Sequence, residues 1–435
     1  MSSIRTARLP MRARSTFHGR ETAPRIAVYS PGMVGFGHIR RNATIACALR
    51  SSPLEPVIVL VAEAWQAGAL PLPKGVDCVT LPGLRKEADG HCSPRSLEVS
   101  ERELVALRAD VIRSAMEAFE PDVLIVDHLP LGAARELTRT LERLRRHGTR
   151  CVLGVRDVLQ DVDTVHNIWA DRESLGAMRD LYDAIWIYCD PAIVNPVREY
   201  GVFDQVAERV RFTGYLDQRP RLELINGQAE PLLAKLPRGR IALCIVGGGV
   251  DGGDLAVAFA QAELPRGTTG VIVTGPFMPE EARHYLHECE RHRRNLQVFE
   301  FVPDPAPLID RADRVIAMGG YNSMCEVLSF EKHALIVPRV KPKPEQWIRA
   351  QRVRDLGLVD VLHPDELSAR ALTRWLARDL GPPPPSRSRV DVGGLTRIPS
   401  LLAELLGLPG PAAEPDSLNG NHVHARSHAS ALRAG

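Results

Sequence analysis

The chain has 435 residues, 44% of them hydrophobic, which is too long for one ordinary core and enough to bury two of moderate size. Its 55 basic residues against 53 acidic leave a formal charge of +2, and aromatics make up 5%. Neither a basic excess nor a stacking platform is present, so a dedicated nucleic-acid partner is not expected.

The chain opens with Arg5, Arg8, Arg12, Arg14 and Arg20 and no acid among the first 20 residues. Residues 1–24 read as a disordered basic arm, with an organellar targeting segment as the alternative. No apolar run approaches the ~20 residues that span a bilayer, and no leader core stands near the start, so a cytoplasmic protein is expected. The cysteines at 47, 78, 92, 151, 189, 244, 289 and 325 stand singly, with no spacing that suits zinc, and read as reduced thiols.

From residue 25 strand-like runs alternate with helical patterns: RIAVYS, PVIVLVAE, DCVTL, DVLIVDH, RCVLGVRD, AIWIYCD and VRFTGY. That alternation predicts an open, mostly parallel α/β sheet over residues 25–215. A polar, turn-rich stretch, DQRPRLELINGQAEP, interrupts it near residue 216. The pattern then restarts with RIALCIVGGG, TGVIVTGP, LQVFEFV, RVIAMGG and HALIVPR, which predicts a second α/β domain over 216–408. GPPPPSRSR reads as a stiff linker, IPSLLAELLG as a final helix, and residues 409–435 as a disordered tail.

Ligands of open α/β sheets bind beyond the carboxyl ends of the strands. Four ends stand out: Pro31–His38, Asp127–His128, Gly247–Gly253 and Gly319–Glu326. The first has glycines 32, 35 and 37 in G-x-x-G-x-G order, not the G-x-G-x-x-G of a dinucleotide fold, and no glycine run continues into a Walker loop. IVGGGVDGGD fits either a flexible loop capped by Asp254 or a backbone cradle for phosphate. In AMGGYNSMCEVLSF, Ser323 and Glu326 have capping-box spacing, yet a glycine turn opening a helix also suits a diphosphate. In VPRVKPKPEQWIRAQRV, prolines restrict the loop that displays Lys341, Lys343, Glu345 and Gln346.

These motifs resemble the GT-B glycosyltransferases. AMGGYNSMCEVL and ALIVPRVKPKPEQWIRAQRV are similar to the donor-binding half of transferases related to the peptidoglycan enzyme that adds N-acetylglucosamine to a lipid-linked acceptor. GFGHIRRN is similar to that family's N-terminal glycine-histidine loop. The resemblance implies two Rossmann-like domains facing a cleft. It implies an inverting, metal-independent enzyme that transfers a sugar from a nucleotide-sugar, with a UDP-sugar as the expected donor. No separate cofactor is implied. His38 would be the general base, oriented by Asp127. Gly35, Gly37, Gly247, Gly248, Gly249, Gly319, Gly320, Asn322, Ser323 and Lys343 would line the substrates; Glu326 would grip the ribose, and Glu345 with Gln346 the donor sugar.

The acceptor stays open between a glycan, a lipid-linked and a small-molecule hydroxyl. ARELTRTLERLRRHGTR at 134–150 fits a solvated helix face or peripheral contact with the inner face of a membrane. A nucleotide-sugar 2-epimerase of the same fold and a non-catalytic partner of a transferase remain as alternatives.

Overall fold

The computed structural model describes residues 23–32, 37–63, 72–86, 92–224 and 230–409. The basic arm as far as residue 22, Gly35 and the tail from residue 410 lie outside the described residues.

Among the described residues nine strands belong to the first half: β1 (Arg25–Ser30), β2 (Val57–Glu63), β3 (Val76–Leu81), β4 (Leu84–Lys86), β5 (Cys92–Pro94), β6 (Val123–Asp127), β7 (Arg150–Arg156), β8 (Ala184–Tyr188) and β9 (Val210–Phe212). Six belong to the second: β10 (Arg240–Ile245), β11 (Thr268–Val273), β12 (Leu296–Phe299), β13 (Arg314–Ala317), β14 (His333–Ile336) and β15 (Asp360–Val361). One sheet runs β3-β2-β1-β6-β7-β8-β9 and the other β12-β11-β10-β13-β14-β15, while β4 and β5 form a separate antiparallel pair. The neighbours within each large sheet pair in parallel. Central strands are apolar on both faces because helices cover both: β6 is buried throughout, and β1 everywhere after Arg25.

In each sheet the strand order reverses once, between β1 and β6 and between β10 and β13. Such a reversal opens a crevice at the carboxyl edge, because the connecting helices leave on opposite faces. All four strand ends singled out from the sequence are at these two places.

The halves are tied by buried polar contacts. Asp157 at the end of β7 takes two bonds from Arg349, at 2.6 and 2.7 Å, with both side chains fully buried. Tyr321 Oη donates to Tyr188 O at 2.6 Å, and Asn322 Nδ2 to Gly37 O at 2.9 Å. The final helix, Gly394–Leu406, returns to pack on Gly37–Arg50 of the first half, its Gly394 N–H bonded to Tyr215 O at 2.9 Å.

Two local expectations differ from the structure. The GPPPPSRSR stretch is not a free linker at its end: Ser386 is buried and its hydroxyl donates to Leu328 O at 2.6 Å. The polar interruption after β9 is partly buried too, since Arg221 pairs there with Asp304 and Glu326. Among the described residues seven cysteines are free thiols, and no helix is long and apolar enough to cross a membrane.

Candidate active site

The helix Gly37–Arg50 begins at the switch point of the first sheet, so His38 lies in its first turn, next to the end of β6 where Asp127 stands. His38 Nδ1 is 2.8 Å from Asp127 Oδ2. Arg41 donates to both Asp127 oxygens, at 2.6 and 2.7 Å, and Asn42 Nδ2 adds a bond at 3.1 Å. Arg41 Nη2 also lies 3.0 Å from His38 Nδ1, but its shorter contacts are to the two Asp127 oxygens, so the Nδ1 proton of His38 is assigned to Oδ2 and Nε2 keeps its lone pair. Asp127 is fully buried whereas His38 is 20% exposed.

Burial lowers the His38 pKa below its ordinary 6.5; the Asp127 charge opposes this and Arg41 reinforces it. The imidazole is therefore neutral at pH 7 and able to take a proton. Burial would raise the Asp127 carboxyl, but Arg41 and His38 outweigh it and hold that carboxyl far below the usual range. Asp127 thus stays an anion that orients His38 without competing for the proton.

His38 opens onto a cavity of about 260 Å³. Its wall brings Gly37 and His38 of the first half together with Gly247, Gly248, Gly249, Gly320, Asn322, Ser323 and Gln346 of the second. Gly249 has φ +93, and a Cβ there would lie 2.3 Å from Thr274 O, so this turn admits only glycine. Such turns present backbone amides, and the helix Tyr321–Ser329 adds its N-terminal turn from the other side.

Residues 243–384 match the model of the glycosyltransferase family 28 C-terminal domain. The second half carries a domain of that type. Over 83 residues the chain is 34% identical to a UDP-N-acetylglucosamine–N-acetylmuramyl-(pentapeptide) pyrophosphoryl-undecaprenol N-acetylglucosamine transferase of Sulfurihydrogenibium, which is 19% of this chain and 24% of that relative's length. In overall fold the chain is similar to CalG4, the calicheamicin glycosyltransferase, with TM-score 0.56 and 16% identity over 89% of this chain and 99% of that one. It is as similar to a Listeria monocytogenes protein described as a UDP-N-acetylglucosamine 2-epimerase: TM-score 0.58 and 10% identity over 90% and 98% of the two chains. The fold is GT-B, and at these identities the structural likeness speaks for fold alone.

Within the family 28 domain several expected residues sit differently. Glu326 is only 1% exposed, lies off the cavity wall and accepts a bond from Arg221 at 3.1 Å, so it does not offer its carboxylate to a ribose here. The reason is the helix start: Gly320 is the N-cap, which leaves Glu326 one turn below Asn322 and Ser323. The capping box is absent for the same reason. Gly319 lies behind the wall, its φ of +75 and the 2.6 Å from a Cβ to Ile336 Cγ2 marking a tight turn instead of a ligand contact. Glu345 is buried, bonded to Arg339, and keeps one oxygen, Oε2, buried without a partner, while Gln346 reaches the wall. Lys343 does not line the cavity.

The sequence reading passed over the cations. Arg40, Arg41, Arg156 and Arg339 line the cavity, against Asp251 as the acid on its wall. Arg339 is bonded to Asp251 at 2.6 Å and Arg41 to Asp127. Arg40 and Arg41 belong to the quoted GFGHIRRN run, and Arg156 ends RCVLGVRD at a strand end that received no scrutiny. His128, beside Asp127, holds a left-handed backbone at φ 72, with its ring 5.6 Å from those of His38 and Trp169.

Proposed function

We propose that the protein is an inverting, metal-independent glycosyltransferase that moves a sugar from a nucleotide-sugar, a UDP-sugar, to an acceptor hydroxyl. The observation that carries the reading is a neutral, Asp127-oriented imidazole facing the same cavity as two glycine turns of a family 28 domain. His38 Nε2 takes the acceptor proton as the hydroxyl oxygen attacks the anomeric carbon. The bond from that carbon to the phosphate oxygen breaks, and its electron pair leaves with the nucleoside diphosphate. Amides at Gly247–Gly249 and Tyr321–Ser323 and the guanidinium of Arg40 face the charge that develops on the leaving group. Gln346, which reaches the cavity wall, is the residue offered to the donor sugar's hydroxyls, while Glu345 is buried off the wall and bonded to Arg339.

The two transferases among the named relatives have a lipid-linked substrate and calicheamicin in their descriptions, and both acceptor classes, lipid-linked and small-molecule, belong to the proposal. For a lipid-linked one, the basic helix Thr138–Arg146 is the face that would meet a membrane, although Arg143 already pairs with Glu117 at 2.7 Å.

Incubation with UDP-sugars, with and without an acceptor pool, separates the readings. A transferase releases UDP and builds a new glycoside only when acceptor is present. A 2-epimerase alters the sugar without acceptor, and a mere binder alters nothing.

Two further outcomes are expected. The rate persists in EDTA because amides and arginines supply the positive field; a strict, reversible requirement for magnesium or manganese contradicts this. In the pH profile of kcat/KM, activity is full at pH 7 and falls only as the pH drops through a value below 6.5, where Nε2 gains a proton. The same sign holds for stability: neutral His38 favours the fold above pH 6.5, and that contribution is lost as the pH falls through the lowered value. An acid limb centred above 6.5 contradicts the buried-base account.

A further inference from the structure

Two cations on the cavity wall have no acid within hydrogen-bonding distance among the described residues, Arg40 and Arg156. They belong to different neighbourhoods. The charges around Arg40 are Glu326, Arg221 and Asp304, all in the second half or the segment leading to it. Arg156 ends β7 in the first half, one strand over from Asp127, and the charges acting on it are Arg349, Glu345, Arg41 and Asp157. It acts in turn on His38 and His128.

Two of the neighbouring acids are fully engaged, and the third is half so. Asp157 takes two bonds from Arg349 and a third from Tyr215 Oη at 3.1 Å. Asp127 is filled by Arg41, Asn42 and His38. Glu345 holds Arg339 through Oε1, and its Oε2 is buried without a hydrogen bond, to Arg156 or to any other group among the described residues. Arg156 Nε is buried with no partner. Burial, with Arg349 and Arg41 close by, pulls its pKa down to about 10, so it remains charged at neutral pH. A charge kept half-desolvated and unpaired beside a catalytic base is costly unless a ligand brings the counterion.

We infer that Arg156 seats a second anionic group, a carboxylate or phosphate monoester, that the substrate carries beside the reacting centre and apart from the donor diphosphate. A guanidinium fork accepts such a group through two parallel bonds. The inference rests on the nucleotide-sugar reading above and narrows its substrate class. The anion belongs either to an acidic donor sugar or to an acidic acceptor.

Calorimetry on the full chain distinguishes these sources. UDP alone is titrated first, then UDP-glucuronate against UDP-glucose, then inorganic phosphate into the UDP-glucose-loaded chain. An acidic donor sugar shows as UDP-glucuronate binding about tenfold or more tighter than UDP-glucose. An acidic acceptor shows as equal binding of the two donors with saturable phosphate binding to the loaded chain. In either case Arg156→Gln removes the effect while UDP affinity is retained, and Arg156→Lys, which keeps the charge but not the fork, weakens it. The inference is overturned if the parent shows neither effect, or if the effect survives in Arg156→Gln. A parent that fails to bind UDP sinks the nucleotide reading separately. Phosphate titrated into the free chain then still reads Arg156, with loss in Arg156→Gln supporting the site and an unchanged isotherm overturning it.

Discussion

His38→Ala lowers turnover by roughly 10²–10⁴-fold, the contribution of a positioned general base, while UDP affinity and melting temperature stay close to those of the parent. Stability is spared because Asp127 keeps Arg41 and Asn42 after the imidazole is gone, so no buried charge is left alone. Affinity is spared because the seat proposed for the diphosphate is at the turns of the second half. Steady-state kinetics beside calorimetry on the same preparation check both. Parental turnover in the variant shows that His38 is not the base, and a collapse in melting temperature shows that it is a packing residue.

The second large effect is on the joint between the halves. Arg349→Ala leaves Asp157 buried with Tyr215 as its remaining side-chain donor, and breaking a buried ion pair from one side costs about 3–5 kcal/mol. That is a large share of the roughly 5–15 kcal/mol that holds an ordinary fold. Arg349 also donates to Gly319 O at 3.0 Å, so the variant loosens the turn before Tyr321–Ser329 as well. Thermal melting is expected to drop by many degrees, and the double change Arg349→Met with Asp157→Leu to recover most of the loss. An unchanged melting temperature in Arg349→Ala contradicts a paired buried charge. Burial alone would raise the Asp157 carboxyl, but Arg349 outweighs it and holds it below 3.8. The stabilisation is therefore present above that pH and lost as the pH falls through the lowered value.

The large strands were legible because their apolar runs are set by burial on both faces, and each of the seven runs from RIAVYS to VRFTGY is a strand of the first sheet. The β4–β5 pair and β15 were not, since three residues and two residues are too short to show a period. That His38 and Asp127 follow strand ends on one edge was legible, because parallel strands with ordinary crossovers deliver their ends there; that the two side chains touch was not. The Asp157–Arg349 pair spans 192 positions and the Glu326–Arg221 pair 105. No local pattern reports which distant charge a buried carboxylate meets. Spacing suggested a capping box at Ser323, and the resemblance a ribose contact at Glu326; the helix instead starts at Tyr321, and Glu326 is paired with Arg221.

The central claim, in-line displacement by a hydroxyl that His38 deprotonates, is tested most directly by the anomeric configuration of the product. Proton NMR of a reaction with a UDP-α-sugar and an acceptor pool is expected to show the β-glycoside appearing in step with free UDP. A product that retains the α configuration, or a donor sugar altered in the absence of any acceptor, contradicts it.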